Sequence, residues 1–137
     1  MNFKDKVVII TGAGAGIGQA SAVAFARRGA KVVVTDLTPN RGEETISMIK
    51  EEGKEGRFVQ VDVSDGGSVN NMVEEVRKAY ETIDILVNNA GIHYLGDVVE
   101  TPEEAWARVM NVNLKGVYLC LSLCASPNAG KGTRCGG

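Results

Sequence analysis

Apolar residues in this chain alternate between two rhythms from residue 7 to about residue 121. Short unbroken runs read as strands with both faces covered. These are Val7–Ile10, Lys31–Thr35 ending at Asp36, Arg57–Val61 ending at Asp62-Val63, and Ile83–Val87 ending at Asn88–Gly91. Between and after them the apolar positions recur at helical spacing. Gln19–Arg28 reads as a helix stopped by Gly29. Thr38 and Pro39 fit an N-cap and first helical residue, opening a helix through Ile46 and Ile49 that Gly53 stops. Ser64 or Asp65 caps a third helix with Val69, Val73 and Val76 on its apolar face. Thr101-Pro102-Glu103-Glu104 reads as a capping box, with Thr101 as the N-cap, before a helix carrying Trp106, Met110, Leu114, Val117 and Leu121.

Strands that alternate with helices pair in parallel through right-handed crossovers. The expected fold class is therefore α/β, a doubly wound, Rossmann-like parallel sheet of strand order 3-2-1-4. Such sheets bind ligands beyond the carboxyl ends of their strands, where the order reverses. The polar residues that interrupt the pattern fall at those ends: Thr11–Gly18, Asp36, Asp62 and Asn88–Gly91. In Thr11–Gly18 the glycines are spaced G-x-x-x-G-x-G (Gly12, Gly16, Gly18), with Gly14 between. Alone, that spacing also fits an ordinary strand-to-helix turn. Next to three further strand ends it reads as a pyrophosphate turn, where backbone N–H groups and a helix dipole face an anion.

Composition narrows the partners without changing the fold. The 137 residues suit one domain, and 44% apolar with 23% charged residues is a globular balance. The net charge of −2, with both signs interspersed, gives no reason to expect nucleic acid or an anionic membrane. Met1–Lys6 is too polar for a signal peptide, and no apolar run is long enough to span a bilayer. Cys120, Cys124 and Cys135 are an odd set and no disulfide framework, so a reducing cytoplasmic location is expected. Cys120 and Cys124 share a helical face without a third ligand nearby, so they read as buried small residues and no metal site is expected.

T-G-A-G-A-G-I-G at 11–18, Asp62-Val63, N-N-A-G at 88–91 and Asn113-Leu114-Lys115-Gly116 stand in one order. In that combination, over about residues 4–124, the chain resembles the amino-terminal, cofactor-binding half of the classical short-chain dehydrogenase/reductase family. The resemblance implies hydride transfer between NAD and a small-molecule alcohol or carbonyl. It implies that Gly12, Gly16, Ile17 and Gly18 form the pyrophosphate turn. Asp36 would accept both adenosine ribose hydroxyls and repel a 2′-phosphate, favouring NAD over NADP. Ala13 and Ala15, in place of the basic residue of many NADP users, point the same way. Asp62 would hold the adenine amino group beside the Val63 backbone, and Asn89, Ala90 and Gly91 would border the ribose and brace the sheet. Asn88 is expected to satisfy backbone groups between strands. Asn113 matches the asparagine of the catalytic tetrad, which in the family distorts its helix and holds a water of the proton relay. Arg41 is expected to point outward, while His93 and Tyr94 lie near the mouth of the crevice. A homo-oligomer is the family's expectation for the complete protein.

The chain departs from the family after Cys124. None of Tyr80, Tyr94 and Tyr118 has a lysine four residues on, and no serine follows a fifth strand. In the family that tyrosine exchanges the proton and that lysine lowers its pKa. The expected organisation is an incomplete NAD-binding domain over 1–124, truncated before strand 5, and an aberrant Gly-rich, disordered tail over 125–137. A bare fourth strand and a poorly covered last helix are expected. Three readings follow: an oxidoreductase's cofactor half, inactive alone; a non-catalytic NAD-binding module; or a chain that neither folds nor binds.

Overall fold

A four-stranded parallel sheet of order β3-β2-β1-β4 organises the computed structural model, which describes residues 2–126. The strands are β1 (Val7–Ile10), β2 (Lys31–Asp36), β3 (Gly56–Gln60) and β4 (Ile85–Val87). Val8 stands between Val32 on one side and Ile85 on the other. The helices are α1 (Gly16–Arg27), α2 (Pro39–Glu51), α3 (Gly66–Tyr80), α4 (Glu103–Met110) and α5 (Gly116–Ala125), the last two joined by a π turn at Asn111–Lys115. The expected fold class and strand order are those observed.

The twofold alternation of strand side chains divides the core into two layers. Val8, Ile10, Val32 and Val34 pack against Ala22, Val23 and Ala26 of α1 and Ile46 and Ile49 of α2. Val7, Ile9 and Val33 face Val69, Met72, Val73 and Val76 of α3 and Leu119, Cys120 and Leu123 of α5. Burial pushes the Cys120 thiol up to about 11. Burial, then the neighbouring Cys120, push Cys124 up to about 12. Both behave as the small core residues expected. Among the described residues no helix is long and apolar enough to cross a membrane.

Several expectations need correction. β4 begins at Ile85, not Ile83, because the Asp84 carboxylate accepts the Val7 N–H at 2.8 Å. β3 lies one residue earlier than its apolar run. Thr101 is not the N-cap of α4. Pro102 holds that position, and the Thr101 hydroxyl instead donates to the Asp97 carbonyl at 2.6 Å. Thr38 stands at the N-cap of α2 without a side-chain bond. Asp65, rather than Ser64, caps α3 by accepting the Gly67 N–H at 3.0 Å. The single helix expected after residue 102 is three pieces. The helical pattern also runs past the expected boundary: α5 includes Ala125, and Arg77 donates to the Cys124 and Ser126 carbonyls at 2.9 and 2.7 Å. The rest of the tail expected over 125–137 lies outside the described residues.

Candidate functional site

The turn after β1 is built for an anion. Gly12 and Gly16 have φ of +62° and +55°, a region L side chains avoid. At Gly12 a Cβ would also stand 2.8 Å from the Ala90 Cα. At Gly18 it would run into the Gly12 carbonyl and the Asn89 side chain, so α1 can approach the turn only with glycine there. Thr45 donates to the Ala13 carbonyl at 2.8 Å, and Gln19 to the Gly14 carbonyl at 3.3 Å, fixing the turn to α2 and α1. Ala15 is the N-cap of α1 and gives no side-chain bond, and the first turn has no acidic residue. The leading N–H groups of α1 therefore await an acceptor.

The other strand ends meet this turn around a cavity of about 810 Å³. Gly12, Ala15 and Gly16 line it from the turn, and Asp36, Leu37 and Thr38 from the end of β2. Val61 to Ser64 close it after β3, and Asn89 to Ile92 after β4. Glu104, Ala107, Arg108, Asn111 and Val112 form a wall from α4 and the π turn. The Asp36 carboxylate accepts from the Gly14 N–H and the Thr38 N–H, both at 2.9 Å. A carboxylate has about four acceptor sites, so capacity for a diol remains. Asp62 accepts from the Ser64 N–H at 3.0 Å and the Ser64 hydroxyl at 2.6 Å, while its own N–H donates to Ser68.

Of the residues singled out in the sequence, Gly12, Gly16, Asp36, Asp62, Val63, Asn89, Ala90 and Gly91 border the cavity. Gly18 is packed beneath it, and Ile17, 79% exposed, does not line it. Asn113 does not line it either. Its amide bridges the π turn to the loop after β4, accepting the Ile92 N–H and donating to the Ile92 carbonyl, both at 2.8 Å. Asn89, expected to border the ribose and brace the sheet, also satisfies backbone groups between strands, the part expected of Asn88: its Nδ2 donates to the Thr11 and Gly12 carbonyls at 3.1 Å each. His93 and Tyr94 lie outside the lining. Arg41 does not simply point outward but lines the cavity beside Asp36. Thr11, 1% exposed and without a role of its own in the sequence pattern, accepts the N–H groups of Asn89 and Ala90 on its hydroxyl oxygen at 3.0 Å each. Its place at the head of the glycine turn, next to the β4 end across the switch point, was the available signal.

Residues 6–133 match the family described as short chain dehydrogenase. The chain belongs to that family. The family match runs past Cys124, beyond which the sequence departs from the family's motifs. An uncharacterized oxidoreductase of Thermotoga maritima is 46% identical over 119 residues, covering 87% of this chain and 47% of that protein. A short chain dehydrogenase/reductase from Burkholderia phymatum, solved in complex with NAD, superposes with a TM-score of 0.85 at 34% identity, covering 89% of this chain and 43% of that one. An NAD+-bound xylitol dehydrogenase gives a TM-score of 0.86 at 31% identity, over 90% of this chain and 48% of the other. The chain spans about half the length of the curated relatives it matches.

Proposed function

We propose that this chain holds NAD across the carboxyl ends of β1, β2 and β4, as the cofactor-binding half of an oxidoreductase acting on an alcohol or carbonyl. The observation that carries the reading is the Asp36 carboxylate. It shares one cavity with the glycine turn, and backbone N–H groups hold it while acceptor capacity remains. Gly12, Gly16 and the uncapped start of α1 receive the pyrophosphate. Asp36 takes the ribose hydroxyls and disfavours a 2′-phosphate, so NAD is preferred to NADP. Asp62 and Val63 border the adenine, and Asn89, Ala90 and Gly91 the nicotinamide side. Two neighbours of known structure were solved with NAD, which agrees with this preference. Bound NAD supplies the hydride acceptor. Asn113 acts by positioning Ile92 and the loop after β4.

Within these 137 residues no tyrosine has a lysine four positions on, so the reading extends to binding without turnover. The site then serves as a cofactor module of a soluble, cytoplasmic, oligomeric enzyme. Titration calorimetry with NAD tests the first part: a saturable, one-site isotherm is expected, and no heat of binding overturns it. NAD reduction by the purified chain with any simple secondary alcohol would overturn the second.

A further inference from the structure

Every backbone polar group of Ala13 and Gly14 is taken. The Ala13 N–H donates to the Thr35 carbonyl and the Gly14 N–H to the Asp36 carboxylate, both at 2.9 Å. The Ala13 carbonyl accepts from the Thr45 hydroxyl at 2.8 Å, and the Gly14 carbonyl from the Gln19 amide at 3.3 Å. The same amide donates to the Thr45 hydroxyl at 3.1 Å, which joins the two side chains. A glutamine amide has two N–H donors and a threonine one O–H, so every proton of this network has an acceptor. Thr45 is fully buried inside α2, Gln19 is half-buried in α1, and neither lines the cavity. Helix α2 comes this close because Gly14 has no Cβ, which would stand 2.6 Å from the Arg41 Cβ.

A trans peptide points its C=O and the following N–H in opposite directions. The carbonyl of Ala13, held at Thr45, therefore turns the Gly14 N–H the other way, where Asp36 accepts it. The carbonyl of Gly14, held at Gln19, likewise turns the Ala15 N–H away from α2, and Ala15 lines the cavity at the start of α1. We propose that Gln19 and Thr45 are positioning residues for the pyrophosphate: linked to each other, they fix two successive peptide planes of the turn, so that the Ala15 N–H meets the phosphates without reorganisation. This rests on the nucleotide-site reading above and assigns what holds the phosphate end of that site in place. A side chain buried behind the turn thus acts on a ligand it never touches, by sparing the turn the ordering cost of binding.

The test compares dissociation constants for NAD, ADP and adenosine, by NMR titration, in the unaltered chain, Gln19→Met, Thr45→Val and Thr45→Ser. Gln19→Met should weaken NAD and ADP by about fivefold and leave adenosine within twofold, because only the first two carry the pyrophosphate. Thr45→Val, which keeps the volume and loses the hydroxyl, should weaken NAD and ADP at least as much, and Thr45→Ser should bring them back to within twofold of the unaltered chain. A residue that only packs would weaken ADP and adenosine alike, so equal losses in Gln19→Met overturn the proposal. An ADP affinity that Gln19→Met leaves within twofold overturns it as well, as does a Thr45→Ser variant as weak as Thr45→Val. If the unaltered chain binds none of the three, the nucleotide-site reading falls and this proposal with it. Circular dichroism separates a folding defect from a binding one, and Gln19→Met carries the test if Thr45→Val unfolds.

Discussion

The two ends of the switch point are built differently. On the β1–β2 side both strands are sandwiched, and every residue from Val7 to Ile10 and from Val32 to Val34 is at most 1% exposed. On the β4 side all three strand residues stay half-buried, α4 buries none of its residues, and Trp106, Leu114, Tyr118 and Leu121 are more than half exposed. The adenosine-facing part of the cavity, at Asp36 and the glycine turn, thus rests on a closed core. The part reached through Asn89–Gly91 rests on β4, the edge strand among the described residues, and a few polar ties. Two kinds of support can carry one cavity: packing on one side, and the Thr11–Asn89 hydrogen bonds on the other.

The largest effect should come from the closed side. Ile9→Ala removes a fully buried side chain and should destabilise by about 2–5 kcal/mol in urea unfolding. Leu86→Ala, on the half-buried β4, should cost less than half as much, and equal losses would erase the comparison. Asn89→Ala next severs the two bonds to the Thr11 and Gly12 carbonyls. It should lower stability by about 1–3 kcal/mol and weaken NAD binding, both read by calorimetry. Asp36→Ala should leave the fold intact and weaken NAD by about tenfold relative to NADP; an unchanged ratio would contradict that carboxylate's role.

A smaller effect is expected in alkali. The Cys120 and Cys124 thiols are raised by burial from an ordinary value of 9.0 to about 11 and about 12. A raised folded pKa gives stability that is full below the unfolded value and falls as pH climbs through the folded one. Thermal stability should therefore decline from about pH 9 toward pH 12, and less steeply in a Cys120→Ala/Cys124→Ala variant. The smallest change belongs to Arg27→Ala. The Arg27–Glu52 pair, at 2.6 Å, is solvent-exposed, and its loss should not move the unfolding midpoint measurably at physiological salt.

Much of this was legible from the residues alone. The β-branched runs and glycine stops fixed four strands, three of the helices and the strand order, because each local signal agreed with the layer it had to join. Gly12, Asp36, Asp62 and Asn89–Gly91 followed from their places at strand ends. What escaped depended on side-chain partners. Thr101 fitted an N-cap by type, but the Asp97 turn claimed its hydroxyl. Asp84 read as part of an apolar strand, yet its carboxylate takes the Val7 N–H. Arg41 had no mark of its own, because its closeness to Asp36 depends on the missing side chain of Gly14, twenty-seven residues earlier. Asn88 and Asn89 are the same residue type in tandem, and only the pleat decides which one reaches Thr11.

The π turn at Asn111–Lys115 has a consequence for insertions and deletions. A π turn holds one residue more than a regular helix needs, and each residue of an α-helix turns the chain by about 100°. The turn therefore absorbs that extra residue while keeping α4 and α5 in phase. Upstream of it the helix shows Glu104, Ala107 and Arg108 to the cavity; downstream it shows Leu119, Cys120 and Leu123 to the sheet. Deleting one residue from 111–115 would make the helix regular and leave Leu119 and Cys120 facing the core, because the turn already absorbs the rotation of the extra residue. A one-residue gap is absorbed there, whereas the same gap inside α5 would swing the residues beyond it, Leu123 among them, by about 100° away from the core.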